Sequence, residues 1–292
     1  MADTPSLSGP GVWSGALRYG DPVEAAEAAA ELEELGYGAL WIPDVGGDLF
    51  ASAANLLQAT EAVTIATGIL NIWMHTPEET AASFDALTTE HGRRFLLGIG
   101  VSHAPFIDHV KSAGTYRKPL QQVREYLDGL DAAPTPVPQH DRLIAALGPK
   151  MLELAHHRTA GTHPYLVTPE HTATAREALG AGPVVAVEQG VVLERDADTA
   201  RGLARQHLAT YLGLPNYSNN WKRIGFTDDD LADGGSDRLV DGLYAWGDES
   251  TIAGRVQEHH DAGANHVCVQ VVIADPRGFP RGEWRALAPA LT

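Results

Sequence analysis

The sequence predicts a TIM-type (β/α)8 barrel with insertions, built as a single domain over residues 1–292. Eight short apolar segments alternate with eight helical segments along the 292 residues, and strands separated by helices form parallel βαβ units that can close into a barrel. An open doubly wound sheet is the structural alternative. Such a sheet usually has fewer strands and carries a glycine-rich fingerprint in its first unit, where this sequence has none.

The predicted strands are short runs of apolar and β-branched residues. They cover residues 12–17, 39–43, 63–70, 95–99, 143–147, 165–167, 184–193 and 266–272. The predicted helices alternate with them, and five begin at a proline, which the first helical position favours. They cover residues 22–35, 49–60, 77–90, 119–130, 149–158, 169–179, 198–212 and 251–262.

Three segments fall outside this alternation. The proline-rich stretch 132–139 suits a connection inside one domain. Residues 215–247 form an insert that we predict to be irregular, and residues 282–291 predict a last turn or two of helix. The insert carries aromatic side chains that we predict to pack as a lid over the barrel rim: Tyr217, Trp221, Phe226 and Trp246.

The charge balance excludes two classes of partner. The chain has 21 basic and 38 acidic residues and a net charge of −17, so its surface repels nucleic acid and anionic lipid. No stretch approaches the roughly 20 apolar residues that span a bilayer, and residues 1–11 lack a signal-peptide pattern. The single cysteine, Cys268, lies in an apolar run and is predicted to be a buried thiol, which suits a reducing compartment. We therefore expect a cytoplasmic protein that acts on a small molecule.

Functional groups of such barrels lie at the carboxyl ends of the strands, and this rule defines the candidate site. The residues at these ends are Asp44 after the second strand; Gly68, Ile69, Asn71 and His75 after the third; Val101, Ser102 and His103 after the fourth; and Gly148, Pro149, Lys150 and Met151 after the fifth. Either histidine can donate or accept a proton near neutral pH. A structural role is the alternative for His75.

The segment 93–103, with the sequence RRFLLGIGVSH, presents one of these histidines. Gly98 and Gly100 match two positions of a dinucleotide fingerprint, but His103 stands where the third glycine belongs. We interpret the segment as a barrel strand whose glycine turn holds His103 at the rim. The alternative is that the glycines only relieve crowding and that His103 is a solvated loop residue.

The turn 148–151 is the predicted anion site. A helix that begins there presents free N–H groups and the positive end of its dipole. Gly148 allows close approach of a ligand, and Lys150 adds a cation in a chain that has few. The alternative is an ordinary helix start with a solvated lysine.

The 13 histidines do not predict a metal site. The pairs 156–157 and 259–260 are adjacent in sequence and cannot face one point from a helix, so we predict that both pairs lie on the surface. The sequence lacks the H-E-x-x-H spacing of a helical zinc site. It also lacks the G-x-S-x-G turn that a serine nucleophile would require.

Several distinct short motifs follow one another between about residue 12 and residue 272. They are Ala39-Leu-Trp-Ile-Pro-Asp44, Thr67-Gly-Ile-Leu70, the segment 93–103, Arg117-Lys-Pro119 before VREYLDGLD, Ala146-Leu-Gly-Pro-Lys150, Val187-Glu-Gln-Gly-Val-Val-Leu193, Leu214-Pro-Asn-Tyr217, Gly225-Phe-Thr-Asp-Asp-Asp-Leu231 and Asp261-Ala-Gly-Ala-Asn-His-Val-Cys-Val-Gln270. As an ordered set, these motifs resemble the luciferase-like family, and more narrowly its coenzyme F420-dependent oxidoreductases of actinobacteria.

The resemblance implies a barrel that holds the deazaflavin coenzyme F420 in its mouth, or FMN in sister groups. It implies a cis peptide bond between Gly68 and Ile69, which would buttress the ring. It also implies that the phosphate tail meets the turn 148–151, that His103 occupies the place of an acid/base residue, and that the chain forms a homodimer.

One departure from the family limits what the resemblance implies. Sugar-phosphate dehydrogenases of this family have Asp-His after the second strand, and here the pair is Asp44-Val45. We therefore predict an F420-dependent oxidoreductase that acts on another organic substrate, with the proton handled by His103, His75 or water. The alternatives are an FMN-dependent luciferase-like monooxygenase and a non-catalytic F420-binding protein.

Overall fold

Parallel strands close into a barrel in the computed structural model, which describes residue 5 and residues 7–292. The strands are β1 Gly11–Trp13, β2 Ala39–Ile42, β3 Thr64–Thr67, β4 Leu70–Asn71, β5 Phe95–Gly100, β6 Arg142–Ile144, β7 Gly161–Thr162, β8 Val184–Val192, β9 Tyr244–Trp246 and β10 His266–Val271. The order around the barrel is β1, β2, β3, β5, β6, β7, β8 and β10, and β10 pairs with both β8 and β1. This double pairing closes the sheet and confirms the predicted fold.

Two further strands extend this barrel of eight. β4 follows β3 at the same place in the barrel wall and pairs with the end of β5. β9 pairs in parallel with the end of β8, where Gly190 lies opposite Tyr244. Both additions lie at the carboxyl ends of barrel strands, and they extend the wall of the barrel mouth.

Helices surround the barrel, and capping side chains begin many of them. They are α1 Ala16–Tyr19, α2 Pro22–Glu34, α3 Leu49–Ala59, α4 Pro77–His91, α5 Ala104–Val110, α6 Pro119–Ala132, α7 Pro149–Arg158, α8 Pro169–Leu179, α9 Ala197–Leu212, α10 Pro215–Arg223, α11 Asp228–Leu231, α12 Asp237–Leu243, α13 Glu249–Asp261 and α14 Arg281–Leu291. Asp21, Asp48 and Thr76 accept hydrogen bonds from the first-turn N–H groups of α2, α3 and α4, which otherwise lack partners. None of the described helices is long and apolar enough to cross a bilayer.

Two apolar layers stabilise the barrel. The outer layer lies between strands and helices and includes Leu40, Ile65 and Phe95. The inner layer fills the barrel with alternate strand residues such as Trp41 and Cys268, as the two-residue period of a strand requires. Cys268 is fully buried, which confirms its predicted structural position.

Three predicted strands differ from the observed ones. The first ends at Trp13, because the Ser14 hydroxyl accepts the N–H of Ala16 and α1 begins there. The third is interrupted between β3 and β4 by the peptide bond Gly68-Ile69, which is cis, as the resemblance implied. The prediction of a strand at 165–167 is wrong. The strand at this position is β7, and Leu166 has a φ of 52° and donates its N–H to the Glu188 side chain instead of a neighbouring strand.

The prediction of an irregular insert at 215–247 is also wrong. The segment forms three short helices and β9, and it packs through its own apolar cluster with Trp221 fully buried. Thr227 and Ser236 cap two of these helices. The tail is a helix from Arg281 to Leu291, longer than the predicted turn or two, and the loop after β5 contains α5.

A matched pair of glycine substitutions tests the close packing of β3 against β5. A Cβ on Gly98 would lie 2.0 Å from the carbonyl oxygen of Thr67, so we expect Gly98→Ala to destabilise the protein by about 3 kcal/mol or more. A Cβ on the exposed Gly254 in α13 would meet open space, so Gly254→Ala should stabilise by about 0.5–1 kcal/mol. Urea unfolding measures both changes. Equal effects at the two positions would contradict the close contact of the strands.

Candidate functional site

His103 lies beneath the insert, at the start of α5. Its ring centroid is 5.4 Å from that of Tyr217 and 6.5 Å from that of Tyr211. Burial lowers the pKa of the imidazole below its usual 6.5, and a hydrogen bond with the Asn216 side chain partly opposes this shift. His103 is therefore enclosed by aromatic rings and is not a solvated loop residue, and its neutral form dominates at pH 7. Its catalytic role stays a prediction.

The turn before His103 is formed by Val101 and Ser102 and is held in place by a hydrogen bond from Trp73. Ser102 has a φ of 55°, a left-handed conformation that reverses the chain at this point. The carbonyl oxygen of Val101 accepts a hydrogen bond of 2.8 Å from the indole of Trp73, which packs on Tyr116. The ends of β4 and β5 are thereby tied together, and this contact helps to set the position of His103.

Asp44, Asn71 and His75 come together as a hydrogen-bonded group. The buried carboxylate of Asp44 accepts the Asn71 backbone N–H at 3.1 Å and contacts His75 Nε2 at 2.9 Å. The His75 ring packs edge-on against Phe50, which packs on Phe95 of the outer apolar layer. The group therefore ties β2 to the turn after β4 from behind the strands. This position gives His75 a structural role, and its catalytic role stays a prediction.

Gly68 and Ile69 form a close-packed wall of the mouth. The Trp13 indole donates a hydrogen bond of 2.8 Å to the Gly68 carbonyl. A Cβ on Gly68 would lie 2.7 Å from Trp13 Nε1 and 2.9 Å from His163 Nε2. Only glycine fits here, and the backbone itself faces Trp13 and His163.

The predicted anion turn lies beside a cation that sequence reasoning missed. α7 begins directly after Gly148, while Lys150 is exposed. Arg223 of the insert donates to the Leu147 carbonyl at 3.4 Å and to the Asn220 side chain at 3.0 Å. A Cβ on Gly148 would lie 3.6 Å from the Arg223 guanidinium. The helix start and Arg223 together form what we call the anion corner.

A chain of hydrogen bonds joins the barrel mouth to α9 and β9. Tyr165 donates to Gln270 Oε1 at 2.7 Å and lies 3.1 Å from the Tyr211 hydroxyl. Gln270 Nε2 is 3.2 Å from His207 Nε2, and His207 Nδ1 is 2.7 Å from the Tyr244 hydroxyl. No spacing in the sequence predicts this network, because its members come from four distant segments.

Glu188 is a carboxyl group buried inside the barrel. It lies in β8, is fully buried, and accepts the Leu166 N–H at 3.0 Å. Burial raises its pKa to about 8, so the group is protonated at pH 7. The sequence analysis did not predict a role for Glu188. The available signal was an acidic residue in the middle of the apolar run VVAVEQGVV, where an unpaired charge is rare.

Several buried polar atoms near the mouth lack hydrogen-bond partners within the described residues. They are Asn71 Nδ2, His103 Nδ1, His163 Nε2, Glu188 Oε1 and Asn220 Nδ2. Buried polar groups in proteins are usually paired with protein, water or ligand. Asn71 Nδ2, His103 Nδ1 and Asn220 Nδ2 are therefore free to contact water or a ligand.

The prediction that both histidine pairs lie on the surface is half wrong. His156 and His157 are exposed. His259 is fully buried, because it packs between α8 and β8 and is 2.8 Å from both the Thr172 hydroxyl and the Gln189 Oε1. Among the residues that the structure describes, no group of three or more histidine, cysteine or acidic side chains could hold a metal ion.

The first part of the chain is similar to a known family, and the whole chain shares its fold with solved structures. Residues 6–135 match the luciferase-like monooxygenase family, and the closed barrel has the corresponding architecture. Among individual proteins, the chain is 32% identical over 110 residues to a Mycobacterium tuberculosis protein that is provisionally named a coenzyme F420-dependent oxidoreductase. The aligned region spans 37% of this chain and only 31% of that relative.

Solved structures with different cofactors share this barrel. An F420-dependent secondary alcohol dehydrogenase in complex with an F420-acetone adduct has a TM-score of 0.75 and 16% identity, covering 100% of both chains. The F420-dependent tetrahydromethanopterin reductase of Methanopyrus kandleri gives the same values. The oxygenating constituent of a diketocamphane monooxygenase of Pseudomonas putida, solved with FMN, has a TM-score of 0.68 and 16% identity over 98% of both chains. At these identities the likeness shows the fold alone.

The buried Glu188 carboxyl gives stability a testable pH dependence. Its folded-state pKa of about 8 exceeds the value of 4.5 expected for an exposed glutamate. The stability that the group contributes is therefore fully present below pH 4.5 and is lost as the pH rises toward 8. We expect Glu188→Gln and the wild type to have similar free energies of unfolding at pH 4.5. Above this pH the variant should become more stable than the wild type by on the order of 1 kcal/mol per pH unit.

Urea unfolding of the two proteins across this pH range measures the difference. Glu153→Gln, at an exposed position of α7, controls for the loss of one negative charge. A difference between Glu188→Gln and the wild type that stays constant with pH would show that the carboxyl is not held in its neutral form.

Proposed function

We propose that this chain is an oxidoreductase that binds coenzyme F420 at the barrel mouth and transfers hydride between the deazaflavin and an organic substrate. The anion corner is the observation that carries the proposal. It combines the start of α7 with the guanidinium of Arg223, in a chain whose net charge is −17. Such a corner suits the phosphate of an anionic cofactor.

The residues present fit such a cofactor. Gly148 and Arg223 would hold its phosphate, with Lys150 as an additional cation. The wall at Gly68 and Ile69 would support the ring, because Gly68 has no Cβ and exposes its backbone there. The unpaired Nδ2 of Asn71 and Nδ1 of His103 are available to polar groups of the ligand.

F420, when bound, supplies a carrier for a hydride, which is two electrons and a proton. The residues of the chain bind it, orient it and manage the accompanying proton. His103 is neutral because of its burial and can accept a proton. Tyr211 and Tyr217 beside it restrict the access of water to this part of the mouth. We assign the proton-handling role to His103.

Two specific observations favour other functions. The family matched by residues 6–135 is named for monooxygenases, and one solved structure with this fold contains FMN; both favour an FMN-dependent monooxygenase as the second candidate. Val45 stands beside Asp44 where related dehydrogenases have a histidine, and it is exposed and cannot move a proton. This favours a non-catalytic F420-binding protein as the third candidate.

Titration with F420 and with FMN tests the cofactor and the corner together. We expect tryptophan fluorescence to be quenched by F420 at lower concentrations than by FMN. Arg223→Gln should weaken F420 binding about tenfold, because a charge-assisted hydrogen bond to the phosphate is lost. Lys222→Gln, at the preceding residue of α10, removes a cation that pairs with Asp228 and should change the affinity less than about twofold.

Two outcomes of this titration would contradict the proposal. Tighter binding of FMN than of F420 would favour the monooxygenase. Equal effects of the two substitutions would show that Arg223 acts only through the overall charge of the chain.

Substitution of His103 tests its assigned role. We expect His103→Ala to lower kcat about 100-fold in an F420-linked assay, because proton transfer by a positioned side chain typically contributes at least this factor. His109→Ala, at an exposed position on α5, is the matched control. The kcat of the wild type should fall as the pH drops through the lowered pKa of His103, below 6.5. Unchanged turnover in His103→Ala would refute the assignment.

A further inference from the structure

A cavity of about 230 Å³ opens beside the candidate cofactor site. Its walls are the end of β1 and the residues that follow it, the end of β10 and the residues that follow it, and one face of α9. The side chains used below are Trp13, Leu203, His207, Thr210 and Gln270. Of these residues, Trp13 also contacts the Gly68-Ile69 wall, and the other four have no assigned role in the cofactor site.

The lining of this cavity carries no formal charge. None of its 16 described residues is aspartate, glutamate, lysine or arginine, although charged residues make up 20% of the chain. His207 is the titratable side chain in it, and burial lowers the pKa of His207 to about 4, so the imidazole is neutral at pH 7. A charged ligand would lose hydration here without gaining an ionic partner from these walls.

Gln270 presents a hydrogen-bond donor to the cavity. Its Oε1 accepts from Tyr165 at 2.7 Å. One N–H of the amide then points at His207 Nε2, 3.2 Å away. An amide nitrogen carries two hydrogens, so the second N–H is available to a ligand in the cavity that Gln270 lines.

The cavity adjoins the wall that would support the cofactor ring. Trp13 lines the cavity and donates its indole N–H to the Gly68 carbonyl at 2.8 Å. A molecule in the cavity would therefore lie one side chain away from the Gly68-Ile69 wall. Its volume exceeds the roughly 150 Å³ of a cavity that takes benzene, so a substituted six-membered ring fits.

We infer that this cavity is the substrate site, and that it takes a small uncharged molecule whose carbonyl or hydroxyl oxygen accepts the free N–H of Gln270. The inference rests on the proposed function, because it places the substrate of that reaction next to the ring wall. It goes beyond that function by naming a substrate class and a residue that positions the substrate.

Direct binding tests the inference without any cofactor. The probes are cyclohexanone, cyclohexanecarboxylate and cyclohexylammonium, titrated into the full chain at pH 7.5 and followed by ligand-observed NMR. We expect cyclohexanone to bind with a millimolar or tighter Kd and each charged probe to bind at least about tenfold more weakly. Failure of every probe to bind, or equal affinity for the ketone and the carboxylate, would overturn the inference.

Two substitutions on α9 locate the binding site. Thr210 lines the cavity, whereas its exposed neighbour Ala209 does not. Thr210→Trp should block the cavity and weaken cyclohexanone binding at least about tenfold, and Ala209→Trp should leave it within about twofold. Equal effects of the two substitutions would place the ketone elsewhere.

The role of Gln270 is tested by comparing two ligands of the same shape. Methylenecyclohexane replaces the ketone oxygen by carbon. The ratio of its Kd to that of cyclohexanone should fall about fivefold in Gln270→Leu, because only the ketone loses a hydrogen bond. An unchanged ratio in a folded variant would overturn the role of Gln270.

The Thr210→Trp result stands if Gln270→Leu does not fold. Because no cofactor is present in these measurements, a failed F420 titration and a failed probe titration are separate results.

Discussion

The pairing of β10 with both β8 and β1 closes the barrel. It makes the sheet continuous, so that the carboxyl ends of all barrel strands meet at one mouth. Trp13, Gly68, His103, Tyr165 and Gln270 come from widely separated positions in the chain, yet each follows or ends a strand at this mouth. Hydrogen bonds between them, such as that from Trp13 to Gly68, join residues that end or follow different strands.

Burial determines the charge state of the groups inside this barrel. The chain as a whole is strongly anionic, but Glu188 is held neutral within β8. The buried histidines His163 and His266, and the half-buried His207 on α9, have pKa values lowered to about 4 and are neutral as well. The interior below the mouth therefore presents dipoles rather than charges. Arg223 contrasts with it, because the insert brings a cation to the start of α7 at the edge of this neutral interior.

Much of the fold was predictable because strands and helices alternate, and alternation alone implies a parallel sheet. The prediction failed where local pattern and tertiary contact disagree. Tyr165 and Val167 have strand-like side chains, but Leu166 between them has a positive φ, which no pattern of apolar residues reveals. His259 looks like a surface residue of a helix, and only the packing of α13 against α8 buries it beside Thr172.

The candidate site was predictable where it depends on one segment and unpredictable where it depends on several. The rule of strand carboxyl ends located His103 and Gly148, because each follows its own strand. Arg223 lies 75 positions beyond Gly148 in the sequence, and only the folded insert brings it to the Leu147 carbonyl. Gln270 and His207 likewise lie far apart in the sequence, and only the fold brings them within hydrogen-bond distance of each other.

We propose that the mouth of this barrel binds F420 and that Gly148 and Arg223 form the anion corner that holds its phosphate. A crystal structure of the protein with F420 tests this proposal. We expect a phosphate oxygen within hydrogen-bond distance of the Arg223 guanidinium and of the first N–H groups of α7, with the ring against Gly68 and Ile69. F420 bound away from this corner, or FMN bound in its place when both are supplied, would contradict it.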